Sequence, residues 1–107
     1  MSPDQIINRC RLFMRVQPTA RASLLAIAQP VNLNRGQTVF REGDPCPGIF
    51  VVGSGIVRIY KLAPSGKDHT LHLAGPGQTF AEVASLGCFP CPAYAEAVED
   101  TACVLLP

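Results

Sequence analysis

Gly77–Cys103, GQTFAEVASLGCFPCPAYAEAVEDTAC, decides the reading of this chain. It divides into a strand end, a short helix opened by Phe80-Ala81-Glu82-Val83, a stiff loop of cysteines and prolines, a strand, a turn at Glu99-Asp100-Thr101 and a further strand. A short helix starting at the mouth of a β-roll leaves backbone N–H groups unpaired and carries partial positive charge, which suits an anion.

Upstream, from Val31 onward, short β-rich runs alternate with Gly, Pro, Asn and Asp. The pattern predicts strands near 31–33, 37–40, 48–52, 56–62, 68–74, 93–98 and 102–106. Their punctuation is Asn34-Arg35-Gly36, Glu42-Gly43-Asp44-Pro45, Gly53-Ser54-Gly55 and Pro64-Ser65-Gly66. Turns at this density argue for a roll or sandwich of antiparallel strands. Alternation around Val57, Ile59 and Lys61 is imperfect, as when both faces of a strand carry apolar load. Residues 3 to 28 read as helical. Ile6, Ile7, Cys10, Phe13 and Met14 form an apolar stripe at helical spacing. Thr19 is the expected N-cap of a second helix, Ala20 to Ala28, which buries Leu24, Leu25, Ile27 and Ala28 and ends at Pro30. The expected division is therefore an N-terminal helical segment, 1–30, packed on a β-roll, 31–107.

At 107 residues the chain suffices for one domain with a real core. Its 48% hydrophobic and 16% charged content is globular, and a net charge of +1 supplies no basic footprint for gripping nucleic acid. No apolar run approaches the ~20 residues of a membrane span. The N-terminus MSPDQIINRC lacks the basic-then-apolar order of a signal peptide. Five irregularly spaced cysteines without a leader read as reduced thiols in the cytoplasm.

Phe80-Ala81-Glu82-Val83 followed by Pro90-Cys91-Pro92-Ala93-Tyr94-Ala95 resembles the phosphate-binding cassette of cyclic-nucleotide-binding domains, above all those of Crp/Fnr-type transcription regulators. Gly36-Gln37-Thr38-Val39-Phe40-Arg41-Glu42-Gly43-Asp44 and Phe50 to Tyr60 resemble two further hairpin motifs of that family, so the likeness covers almost the whole chain. The resemblance implies an antiparallel jelly roll with short N-terminal helices and a short cassette helix. It implies a ligand pocket built from Leu71, His72, Phe80, Ala81, Glu82, Val83, Cys91, Pro92 and Ala93. It also marks departures. The family's glycine is Ala81, its phosphate-gripping arginine falls at Cys91, and its small hydroxyl residue at Pro92. Without the arginine, a buried cyclic phosphate has no cation, so the ligand is expected not to be cAMP or cGMP. Glu82 matches the residue that takes a ribose hydroxyl in relatives, and equally suits the capping of its own helix. Arg58, beside Tyr60, reads as a solvated strand face.

Cys88-Phe89-Pro90-Cys91 has the spacing of a redox pair or of half a metal site, and the accessible thiols are expected to be Cys88 and Cys91. Cys88, Cys91 and Cys103 are the weak metal candidates, against a reading of Cys10, Cys46 and Cys103 as small buried apolar residues. His69 and His72 have odd separation on one strand and so should face opposite ways unless a bulge intervenes. The family implies haem or an iron–sulfur cluster as alternative cofactors, and a Thr-Phe-Ala-Glu run like Thr79–Glu82 is shared with its dissimilatory nitrate respiration branch. No triad, P-loop, paired-carboxylate site or His-x-His cluster marks an enzyme. The expected function is effector sensing in a Crp/Fnr-family regulator, with a true cyclic-nucleotide module and a haem, iron–sulfur or thiol sensor as alternatives. The expected partners are a small-molecule effector, no membrane, and DNA only through a helix-turn-helix domain that this chain lacks. A homodimer is expected of the full-length protein. The chain stops at Pro107 where the roll ends, which reads as an isolated sensor domain or a fragment of a longer regulator.

Overall fold

The computed structural model describes residues 2–10 and 17–107; Phe13 and Met14 of the expected helical stripe lie outside the described residues. α1 spans Pro3–Arg9. It starts where the sequence predicts because Ser2 Oγ accepts from Gln5 N–H while Gln5 Oε1 accepts from Ser2 N–H, a reciprocal capping box with Pro3 in the first turn. α2, Pro18–Ile27, begins one residue before the expected cap. Proline is itself a favoured first helical residue, so Gln17 becomes the N-cap and Thr19 lies within the first turn, its carbonyl accepting from Ser23 Oγ. Ile27, expected to be buried, is exposed, whereas Leu24, Leu25 and Ala28 pack on the core from its edge.

Eight strands follow: β1 Gln29–Leu33, β2 Thr38–Phe40, β3 Ile49–Ser54, β4 Val57–Leu62, β5 Asp68–Ala74, β6 Thr79–Phe80, β7 Tyr94–Ala97 and β8 Thr101–Leu106, with α3, Glu82–Gly87, between β6 and β7. They form two four-stranded antiparallel sheets, ordered β1-β8-β3-β6 and β2-β7-β4-β5. This is the expected roll. Pro30 does not merely end α2. It sits inside β1, paired with Val104, and β1 is an edge strand, where a missing N–H donor is tolerated.

The apolar runs of β3 and β8 are explained by two cores. Phe50 and Val52 of β3 and Cys103 of β8 face the interior of the roll, with Leu33, Phe40, Val57, Ala74, Phe80, Cys91, Ala95 and Ala97. Val51, Val104 and Leu106 point the other way, onto Ile6, Ile7 and Cys10. Phe50 and Phe80 stack with ring centroids 4.8 Å apart, and Phe40 lies 6.1 Å from each. That cluster fixes the end of β6 and therefore the start of α3. No helix among the described residues is long and apolar enough to cross a membrane.

Candidate functional site

β6 and α3 meet at Ala81, the N-cap of α3, whose backbone is left-handed at φ 68°. A left-handed conformation costs an L-residue roughly 1–2 kcal/mol. The methyl group is thus tolerated at a strained corner. Glu82 follows as the first helical residue. Its Oε2 is buried and accepts no hydrogen bond. The helix-capping role is therefore not the one this oxygen performs. An unsatisfied buried acceptor costs about 1–3 kcal/mol, so a group that persists in that state is a candidate for function.

Glu82 lines a cavity of about 180 Å3 together with Ile59, His72, Thr79, Phe80, Ala81, Ala84 and Pro92. Five residues expected from the sequence thus meet here: His72, Phe80, Ala81, Glu82 and Pro92. Val83 contributes backbone to α3, and its side chain lies outside the described part. Ala93 is buried in β7's approach and does not line the cavity. Leu71 is 58% exposed and does not line it either. The reason is a β-bulge. β4 and β5 pair Ile59 with His72 and Tyr60 with Thr70, so Leu71 is the extra residue. The same bulge overturns the parity argument for the histidines. His69 lies opposite Lys61 and His72 opposite Ile59, and Ile59 and Lys61 share a face of β4; both histidines therefore face the same way. Sequence reasoning missed Ile59, Thr79 and Ala84, which only the pairing of β4 with β5 and the turn of α3 bring to His72.

Among the described residues, no lysine or arginine lines this cavity. Arg58, the nearest strand cation by sequence, lies on the opposite face of β4. It donates to Asp68 at 2.6 Å and to Glu96 at 3.2 Å, and its guanidinium sits 4.0 Å over the Tyr60 ring. Arg58 thus faces away from the cavity, but as a half-buried, ion-paired side chain rather than a freely solvated one.

Cys91, expected to be an accessible loop thiol, is 2% exposed and packs into the roll interior. Burial, with the adjacent Cys46 thiol, pushes its pKa from 9.0 up to about 11. Its thiol partner is Cys46, not Cys88, which is exposed at the end of α3. Cys10 and Cys103 are buried, as expected of apolar thiols, whereas Cys46 is half-buried. Cys88, Cys91 and Cys103 do not converge, and the described residues contain no group of three or more His, Cys, Asp or Glu side chains placed to hold a metal.

Two outcomes follow for the thiols. A maleimide is expected to label Cys88 about tenfold or more faster than Cys10, Cys91 and Cys103, as read by peptide mapping; equal rates for Cys88 and Cys91 would contradict the burial of Cys91. Burial also raises the Cys103 thiol from 9.0 to about 11. Both thiols stay protonated in the folded state while unfolded thiols ionise. Their contribution to stability is intact below about pH 9 and is lost as pH rises to about 11. Melting temperature measured across that window should fall less steeply for Cys103→Ala than for the parent, and identical slopes would refute the assignment.

Residues 30–107 match the cyclic nucleotide-binding domain family. Over 80 residues the chain is 40% identical to the CRP-like cAMP-activated global transcriptional regulator of Mycobacterium tuberculosis, covering 75% of this chain and 36% of that protein. The sensor domain of the transcriptional regulator DNR from Pseudomonas aeruginosa superposes with a TM-score of 0.84 at 33% identity, covering 94% of this chain and 68% of that one. The N-terminal domain of a transcriptional regulator from Streptomyces coelicolor gives 0.83 at 30% identity, covering 94% and 71%. The chain spans about a third of the length of the curated relatives it matches most strongly.

Proposed function

This chain belongs to the cyclic nucleotide-binding domain family, and we propose that it is the effector-sensing domain of a Crp/Fnr-type transcription regulator whose ligand is not a cyclic nucleotide. The observation that carries this reading is the cavity's charge. Among the described residues, its wall offers a carboxylate with an unpartnered buried oxygen and no lysine or arginine. A cyclic phosphodiester would bring a second negative charge into that wall and find no cation to offset its desolvation. The cavity instead suits a small neutral or cationic molecule that donates a hydrogen bond to Glu82 and lays an apolar face on Ile59, Phe80 and Pro92. A volume of about 180 Å3 lies below the roughly 300–1,000 Å3 of pockets for drug-sized ligands, which favours a small effector over haem.

Signalling on this reading is a population shift. Ligand against Glu82 and His72 biases α3 and the β4–β5 hairpin, and through them a dimerisation helix and DNA-reading domain of the full-length, cytoplasmic, non-enzymatic homodimer. The relatives named as transcriptional regulators and as a sensor domain support it, as does the absence of the arginine at Cys91.

Calorimetric titration with cAMP and with cGMP is expected to give no site tighter than about millimolar. A micromolar site would overturn the ligand assignment. Glu82→Gln is expected to leave the melting temperature unchanged or raised, because the buried Oε2 accepts no hydrogen bond in the free protein that the substitution could break. A fall of several degrees would show that the carboxylate secures α3 instead.

A further inference from the structure

We infer that Cys46 and Cys91 are a redox pair that hydrogen peroxide closes into an intramolecular disulfide, clamping the loop after α3 to the loop before β3. Each thiol stands between two prolines, Pro45-Cys46-Pro47 and Pro90-Cys91-Pro92, although 44 residues lie between them. The fold lays the two triplets side by side. Cys91 N–H donates to Asp44 O and Gly43 N–H to Cys91 O, both at 2.8 Å. Cys46 packs on the same apolar cluster that buries Cys91, and the two thiols are near enough for Cys46 to help push the Cys91 thiol up. Fixed φ angles on both sides of each cysteine hold the sulfurs where they are, so little chain entropy remains to be lost on bonding.

Access is one-sided. A cavity of about 470 Å3, lined by Pro45, Cys46, Ser85, Cys88, Phe89 and Pro90, reaches Cys46 from solvent. Cys46 is half-buried, whereas Cys91 is sealed. The peroxide therefore meets Cys46. Its sulfur takes the distal oxygen, the O–O bond breaks, one water leaves, and a sulfenic acid forms. Converting Cys46 also removes the thiol that helps hold Cys91 protonated. The Cys91 sulfur then attacks the sulfenic sulfur, the S–O bond breaks, and the Cys91 proton leaves with the hydroxyl as a second water. The two thiols together have given two electrons to the peroxide, and a dithiol returns them.

The bond would act on the cavity described above. Reduced Cys46 donates to Gly48 O at 3.6 Å and to Ala81 O at 3.8 Å, and Ala81 caps α3. Oxidation removes that donor from the strained corner and tethers the residue before Pro92. The inference does not depend on which effector the cavity takes.

The test treats the reduced, desalted chain with a small excess of hydrogen peroxide. Free thiols are counted, and the product is mapped by tandem mass spectrometry without reduction. The expected result is loss of two of the five thiols, a Cys46–Cys91 cross-link within one chain, and full recovery with dithiothreitol. Cys88→Ser should leave the cross-link in place. Cys91→Ala should abolish it and leave a sulfenic acid on Cys46 that dimedone traps; if that variant does not fold, mapping of the parent and of Cys88→Ser decides alone. A disulfide that includes Cys88, a bond between two chains, overoxidation of Cys46 with Cys91 still free, or five intact thiols would each overturn the inference.

Discussion

Phe50→Ala is expected to lower the unfolding free energy by about 3–5 kcal/mol, the range for deleting a buried aromatic ring. That is a large part of the roughly 5–15 kcal/mol that holds a typical domain together. The argument is local. Phe50 is 3% exposed, stacks on Phe80 with planes 1° apart, and pairs with it across β3 and β6. Phe40 closes the third side of the cluster. Removing the ring leaves a void bounded by two rigid strands, which relax little. Phe80 is also a wall of the Glu82 cavity, one residue before the Ala81 corner, so on the proposed function the variant should bind an effector less well even where it remains folded. Phe89→Ala is the comparison. That ring is 61% exposed on the loop after α3, and its loss should cost no more than about 0.5 kcal/mol. Denaturant midpoints of the two variants measure the contrast, and similar losses would refute the placement of the core.

Much of the fold was legible because turn residues punctuate it. Gly43 and Gly55, read as turn residues, have φ 90° and 88°. Strands β4 and β5 fall within a residue of their expected ends for the same reason. The cassette frame was legible through Phe80, Glu82 and Pro92. What parity and periodicity could not supply was set by contacts distant in sequence. The bulge at Leu71 adds one residue against β4, which moves His69 onto the face of His72 without any change in composition. Cys91 looked accessible from its neighbours Cys88 and Pro90, yet its position is decided by Gly43 and Asp44. The ion pairs of Arg58 reach Asp68 and Glu96 on different strands. Thr101, the one buried polar side chain of the described core, gave no sign in the sequence beyond its place in a turn.

Thr101 explains why Gly55→Ala should be the more damaging of two superficially equal turn substitutions. Its hydroxyl accepts from Ile56 N–H at 3.2 Å and lies 2.8 Å from Glu99 O and 3.3 Å from Ile56 O, joining the β3–β4 turn to the start of β8. A methyl group on Gly55 would strike Thr101 Oγ1 and lie 2.5 Å from Asp100 O and 2.7 Å from Thr101 Cα. Backbone cannot withdraw as a flexible side chain would. Gly55→Ala therefore adds overpacking of about 1–3 kcal/mol to a left-handed strain of about 1–2 kcal/mol. Gly43→Ala carries the strain alone, since a Cβ there meets nothing within 4 Å. Equilibrium denaturation should then separate the two by about 1–3 kcal/mol, with Gly55→Ala the less stable. Adding Thr101→Ala to each isolates the cause. The second change should cost less beside Ala at 55 than beside Ala at 43, because the clash with the hydroxyl is already destroying its hydrogen bonds. Strict additivity at both positions would show that the turn tolerates the methyl group by moving away from β8.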